Sequence, residues 1–241
     1  MIFSETEGPI SVVRIDRPHR RNAFTRVALG DLLDALEKAV EAESRVVVIT
    51  GAGGHFCAGA DLSELEDRSF EDPVHDLLTA ITEVPMPVIA AISGACLGLG
   101  IQLALACDLR VCTPDARIGL PAARRGFMVD HWTVQRLALL AGHGPARAML
   151  LGAEVISGVE AHRLGFAQRL GDTEHALEWA AEIAALAPLS VQGFKIGLNT
   201  LESAPDVSAY WKAFDRAWSS RDMTEGIRAF FAREEPDFRG E

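Results

Sequence analysis

His55-Phe56-Cys57-Ala58-Gly59-Ala60-Asp61-Leu62 follows a β-branched run, Val46-Val47-Val48-Ile49, and Gly94-Ala95-Cys96-Leu97-Gly98-Leu99-Gly100-Ile101-Gln102-Leu103 follows another, Val88-Ile89-Ala90-Ala91-Ile92. Such runs read as buried strands, and each glycine-studded stretch leads into a helix start. Small residues at a strand-to-helix turn let a ligand approach the backbone. The free N–H groups at a helix start favour developing negative charge. Two such turns facing one pocket make an oxyanion hole for a carbonyl oxygen. Each turn alone suits tight helix–strand packing equally well. The pair in this order, about forty residues apart, is far more specific.

Outward from these turns the chain repeats strand, turn and helix, which predicts an α/β protein. Ile10–Ile15 reads as an opening strand, and Thr25 as the cap of a helix running to about Glu43. The stripe of that helix is Leu29, Leu32, Leu33, Leu36 and Val40. Residues 45–50 form the strand before the first turn. Ser63–Pro73, with Glu64, Glu66, Asp67, Arg68, Glu71 and Asp72, is polar and aperiodic, as in a lid over a pocket or a plain surface loop. Helix 74–83, strand 88–92, helix 99–106, strand 108–112 and an extended piece near Ile118 follow. From Trp132 onward the pattern is helical, over 132–141, 144–151, 174–186, 190–200 and 207–233, with one strand at Phe166–Leu170.

Composition narrows the function. The chain has 241 residues, 49% hydrophobic and 24% charged, as in a globular domain with a substantial core. A net charge of −11 argues against nucleic acid and anionic membrane as partners. Val84–Cys107 carries no charge and is long enough to span a bilayer, but Pro85, Pro87, Gly94, Gly98 and Gly100 break it. A buried strand, turn and helix explain the same run, so no membrane span is expected. Cys57, Cys96, Cys107 and Cys112 lie in apolar stretches without zinc-site spacing. They read as reduced core thiols, and no metal is expected. No secretory signal opens the chain, which predicts a cytoplasmic protein.

In its ordered motifs the chain resembles the crotonase superfamily, the enoyl-CoA hydratase/isomerase family. Arg17-Pro18-His19-Arg20-Arg21-Asn22-Ala23-Phe24 resembles the family's N-terminal CoA-contact turn. Phe56–Leu62 and Gly94–Asp108 resemble its two oxyanion segments. Gln135-Arg136-Leu137, Ala187-Pro188-Leu189-Ser190 and Ser220–Gly226 with Ala229-Phe230 follow in the family's order. The resemblance implies a spiral of ββα units over 1-186 and a helical trimerisation region over 187-241, in a homotrimer or a hexamer of paired trimers. It makes the backbone N–H groups of Ala60 and Leu99 the oxyanion donors. It puts Arg20, Arg21, Ala23, Ala58, Asp61, Lys195 and Phe238 near CoA, with Leu62, Leu99, His131 and Trp132 lining the acyl pocket. The ligand implied is a CoA thioester, with no further cofactor.

The two glutamates with which hydratases of this family activate water are absent. Aligned on Gly94–Asp108, the first position is Gln102; aligned on Gly119-Leu120-Pro121, the second is Ala122. Glutamine holds a water but takes no proton from it, and alanine does neither. Losing one acid–base group costs about 10²–10⁴ in rate. Leu99 replaces the family's usual glycine, keeping the N–H and adding bulk. Asp130, six residues before Arg136, stands where dienoyl-CoA isomerases and some dehalogenases of the superfamily carry a catalytic aspartate, but the residues themselves favour its reading as the cap of a helix starting at His131-Trp132. Gln102, Asp130-His131-Trp132 and Gly142–Leu151 together resemble a catalytically degenerate branch of the family in mycolate-making actinobacteria. That likeness implies fatty acyl-CoA binding in fatty-acid and mycolic-acid metabolism, with lipid-synthesis enzymes as partners. An isomerase using Asp130 and a true enoyl-CoA hydratase are the alternatives.

Overall fold

The chain opens with a hairpin, β1 (Ile2–Glu7) and β2 (Ile10–Ile15), turned at Gly8, where φ is +55°. Thr25 then caps α1 (Arg26–Glu41), its hydroxyl accepting the Ala28 N–H at 3.2 Å. The elements that follow are β3 (Val46–Gly51), α2 (Glu71–Glu83), β4 (Val88–Ile92), β5 (Ala95–Leu97), α3 (Leu99–Ala106), β6 (Leu109–Cys112) and β7 (Arg117–Gly119). Next come α4 (His131–Ala141), α5 (His143–Leu151), β8 (Val155–Ser157), α6 (Gly158–Arg163), β9 (Arg169–Leu170), α7 (Thr173–Ala184), α8 (Pro188–Thr200) and α9 (Arg221–Ala232). These elements come from a computed structural model, which describes residues 2–64, 70–200, 215, 218–234 and 236.

The chain divides into two units. One is Met1–Ile118 with Ile156–Glu202; the other is Gly119–Val155 with Ser203–Glu241. The first holds a six-stranded sheet in the order β1-β2-β3-β4-β6-β9, parallel except for the β1–β2 pair. Every residue of Val46–Ile49 and Val88–Ile92 is buried, as parallel strands covered on both faces require. On one face α7 lays Ala176, Ala180 and Ala184 against Val46, Val48, Ile89, Ala91 and Val111. Alanines four residues apart share one helix face and let the backbone come close to the sheet. A second, three-stranded sheet has the order β5-β7-β8.

The uncharged run Val84–Cys107 resolves into β4, β5 and α3. Ile101, Leu103, Ala104 and Leu105 of α3 are fully buried, so apart from Gln102 this helix is apolar on every side because it lies inside the unit. Among the described residues no helix is long and apolar enough to cross a membrane. Arg110, 1% exposed, closes the end of α3. Its Nη1 donates to the carbonyls of Ala104 at 2.9 Å and Cys107 at 2.7 Å, and its Nε to Phe166 O at 2.6 Å. A cation at the carbonyl end of a helix complements the helix dipole.

In the second unit α9 packs on a turn at Ala122–Arg125. A Cβ at Gly226 would stand 2.0 Å from the Arg125 carbonyl oxygen, and one at Gly126 would stand 2.4 Å from that of Asp222. Both positions therefore exclude a side chain. Trp218 donates its indole N–H to Met128 O at 3.3 Å, and its ring lies 5.6 Å from that of Phe127.

Apart from α9, the described helices and long strands fall within a few residues of their predicted bounds; the Ser220 hydroxyl accepts the Met223 N–H at 3.2 Å and caps α9, which therefore begins at Arg221 and not at the expected 207. β1 was not anticipated, because its alternation is masked by exposed polar residues, and β8 and α6 are too short to show a period. Only Arg169–Leu170 of the expected strand Phe166–Leu170 is ladder-bonded. Glu71 and Asp72 form the first turn of α2, so that helix starts three residues before the expected 74. Ser63 and Glu64 lie in a tight helical turn, Leu62–Glu64, whereas Glu66, Asp67 and Arg68 of the expected lid lie outside the described residues. So do Phe238 and most of 207–220. The expected cut after residue 186 differs from the division by contacts. Residues through Glu202, including α8, group with the sheet, and the C-terminal segment groups with 119–155.

Candidate functional site

Phe24 and Ala60 form a parallel bridge in which the Phe24 N–H donates to Gly59 O at 2.9 Å and the Asp61 N–H donates to Phe24 O at 2.7 Å. In such a bridge the partner residue's own N–H and C=O point away, so the Ala60 N–H faces outward from Phe24. Cys57 and Cys96 form a second bridge, the Cys57 N–H donating to Ala95 O at 2.8 Å and the Leu97 N–H to Cys57 O at 2.9 Å. This second bridge ties the first glycine segment to the second.

The chain then reverses at Gly98, where φ is +54°, and α3 starts at Leu99. The two turns touch. A Cβ at Gly98 would stand 3.6 Å from Gly59 Cα, and one at Gly59, where φ is +123°, would stand 3.4 Å from Leu97 O and 3.9 Å from Leu99 N. Gly100 admits no side chain, since a Cβ there would lie 2.2 Å from Cys57 O. Leu99 N is the first donor of α3 and has no intrahelical acceptor. Neither the Ala60 nor the Leu99 N–H has a protein acceptor among the described residues. The two turns thus carry two open backbone donors close together.

Side chains brace this arrangement. Fully buried Asn22, at φ +60°, accepts the Arg17 N–H at 2.8 Å and donates to Ala52 O at 2.9 Å and His55 O at 2.6 Å. His55 Nδ1 accepts the Ala95 N–H at 3.1 Å. Arg17 reaches Asp61 Oδ2 at 2.6 Å and Ala23 O at 3.1 Å. Asp61 also takes the Ser63 N–H and hydroxyl on Oδ1, capping the Leu62–Glu64 turn. Partial burial pushes its carboxyl up, but the bonds from Ser63 and Arg17 outweigh this and hold it below the usual carboxylate range. The bracing roles of Arg17, Asn22 and His55 were not read from the sequence, because each bonds across segments remote in the chain.

The other expected CoA residues divide. Arg20 and Arg21 are exposed and Ala23 and Ala58 half-buried; the Ala58 N–H donates to Arg21 O at 3.0 Å, so the N-terminal turn lies beside the first glycine segment. Lys195 is a correction. It is 6% exposed, and its ammonium meets Ile81 O at 3.2 Å, Met86 O at 3.0 Å and Asp108 Oδ2 at 2.8 Å. Three acceptors match its three N–H donors, so it ties α8 to the core and has no hydrogen left for a ligand. Gln102 is half-buried on α3, three residues after Leu99 and hence on the same helix side. Leu62 is half-buried in its turn. Burial pushes the Cys57 thiol up from 9.0 to about 12 and that of Cys112 to about 11, and raises Cys96 too, so these remain protonated core groups.

In the second unit Ala122 opens the Ala122–Arg125 turn with no ionisable group. Asp130 is the N-cap of α4, its Oδ1 accepting the Thr133 N–H at 3.3 Å and the Thr133 hydroxyl. The capping alternative is therefore realised. His131 and Trp132 are half-buried in the first turn of α4, and the Arg136 guanidinium lies 6.0 Å from the Trp132 ring centre.

The sheet order and the two bridged glycine turns define a crotonase-like α/β fold. The family model for enoyl-CoA hydratase/isomerase matches residues 5–241, so the chain belongs to that family. It is 41% identical over 233 residues to a protein of Mycobacterium tuberculosis named probable enoyl-CoA hydratase echA6, covering 96% of each chain. It is 32% identical over 243 residues to the 2,3-dehydroadipyl-CoA hydratase of Escherichia coli, covering 96% of this chain and 95% of the other. A solved enoyl-CoA hydratase of Mycobacterium avium subsp. paratuberculosis superposes with a TM-score of 0.88 at 26% identity, covering 99% of this chain and 98% of the other.

Proposed function

We propose that this protein binds fatty acyl-CoA thioesters at the Ala60 and Leu99 N–H groups and carries out little or no hydration. One observation carries this reading. The open donors stand on touching turns, while Gln102 and Ala122 occupy the positions of the family's two water-activating glutamates. Backbone donors hold a thioester carbonyl whatever side chains surround them. Without an acid–base pair, a bound water is neither deprotonated by the enzyme nor its proton delivered. The names of the relatives favour a hydratase; the two missing carboxylates weigh more, because no other pair stands in register. The likeness to the degenerate actinobacterial branch supports a place in fatty-acid and mycolic-acid metabolism, in a homotrimer or a pair of trimers in the cytoplasm.

The test is to incubate the protein with saturated, 2-enoyl and 3-enoyl CoA esters and follow binding and products together. Binding without turnover is expected, with crotonyl-CoA hydration at the buffer rate. Hydration at ordinary enzyme rates overturns the reading. Double-bond migration abolished by Asp130→Asn at unchanged stability replaces it with an isomerase, since asparagine keeps the cap but carries no proton.

A further inference from the structure

We infer that His55, seated on Asn22, is a positioning residue that sets the spacing between the Ala60 and Leu99 N–H groups, and so determines how strongly the protein distinguishes a thioester carbonyl from a methylene. This rests on the oxyanion reading above. Backbone donors cannot be tuned by their own side chains; their separation is decided by whatever holds the two turns in register. Backbone bonds from Phe56 N–H to Ser93 O at 2.7 Å and from Leu97 N–H to Cys57 O at 2.9 Å set part of this register, and two contacts of Ala95 set the rest. The Cys57 N–H donates to Ala95 O at 2.8 Å, and the Ala95 N–H donates to His55 Nδ1 at 3.1 Å. Ala95 is thus gripped on both sides by the segment that carries Ala60, and it lies four residues before Leu99.

The imidazole is itself held. Its backbone carbonyl accepts Asn22 Nδ2 at 2.6 Å, and the ring lies so close over Gly94 that a Cβ there would stand 2.5 Å from Nδ1. Because Nδ1 accepts, the ring proton sits on Nε2. One connected chain, Arg17 N–H to Asn22 to His55 to the Ala95 N–H, therefore spans the N-terminal turn and both glycine turns. Hydrogen bonds weaken steeply with lost distance and alignment, so a small slip between the turns degrades one of the two carbonyl contacts.

Two variants separate positioning from mere polarity. In His55→Asn, Oδ1 lies the same number of bonds from Cα as Nδ1 and meets the Ala95 N–H. In His55→Gln, the acceptor lies one bond further out and misses it. Affinities for decanoyl-CoA and for S-decyl-CoA, which has a methylene in place of the carbonyl, are measured by calorimetry. Wild type and His55→Asn are expected to prefer the thioester; in His55→Gln the preference falls about fivefold, as for one lost neutral hydrogen bond. S-decyl-CoA affinity is expected to stay constant throughout. If His55→Gln does not fold, His55→Leu takes its place. Equal thioester preference in all variants overturns the inference, as does a parallel loss for both ligands. Absence of any thioester preference in the wild type overturns the oxyanion reading itself.

Discussion

Asparagine tolerates the left-handed conformation that Asn22 adopts at φ +60°, and its amide offers an acceptor and donors together. Both properties are used here, which explains why a small polar side chain is fully buried at the junction of two turns. Ala60 contributes only its N–H to the proposed carbonyl site. Ala60→Pro removes that hydrogen and little else, since Asp61 and Gly59 make the bridge bonds to Phe24. Decanoyl-CoA affinity is expected to fall by about fivefold or more at nearly unchanged S-decyl-CoA affinity. Calorimetry with both ligands, beside a circular-dichroism melt, checks this.

Among the elements, α8 shows how an ion pair locks a helix. Lys195 lies across Ile81 O, Met86 O and Asp108 Oδ2, and the same carboxylate oxygen accepts the Val88 N–H at 2.8 Å. Lys195→Met keeps the packing stem but leaves buried acceptors without their cation. The expected cost is about 3 kcal/mol in urea unfolding, with CoA-ester affinity unchanged in the folded fraction. A loss of affinity without loss of stability would restore Lys195 to the ligand site. The buried thiols carry a second signature. Folding raises the Cys57 thiol to about 12 and that of Cys112 to about 11. Their stabilising effect is complete below the ordinary 9.0 and fades as pH rises through the folded values, because the unfolded thiols lose protons first. Unfolding free energy is expected to fall by about 1.4 kcal/mol per pH unit for each such thiol above that point. Cys57→Ala should shallow the slope between pH 9 and 11 relative to wild type, as read from urea melts.

For the whole molecule, the apolar surface left on the single chain motivates the proposed trimer. Leu189 of α8 is 81% exposed and Phe194 72%, and Phe231 of α9 is 59% exposed. Large apolar side chains exposed on α8, and separately on α9, are what an association surface would cover. Light scattering at micromolar concentration is expected to give a trimer or twice that mass, and a stable monomer would refute the assembly. The four cysteines, by contrast, lie fully in the core, so the assembly should be insensitive to reductant.

What the sequence determined by itself was the class of fold and the pair of turns. Continuous β-branched runs, glycine spacing and helix caps are local properties, and they placed β3, β4 and α3 before any contact was known; the choice of Ala60 and Leu99 as donors came from the family resemblance. The same resemblance implies which acids are missing, since it aligns the family's two glutamates with Gln102 and Ala122. Only the tertiary structure decided which charges are available to a ligand. Lys195 looks like a free cation in sequence, yet it is buried on the carbonyls of Ile81 and Met86 and the carboxylate of Asp108, all contributed by distant segments. Asp130 carried two readings of which local pattern favoured the cap, and the bond from the Thr133 N–H realises it. Asn22, His55 and Arg17 stayed silent for the same reason. Their partners lie 30 or more residues away, as with Asn22 and Ala52, His55 and Ala95, or Arg17 and Asp61. A hydrogen bond between remote segments leaves no periodic trace in the chain that forms it.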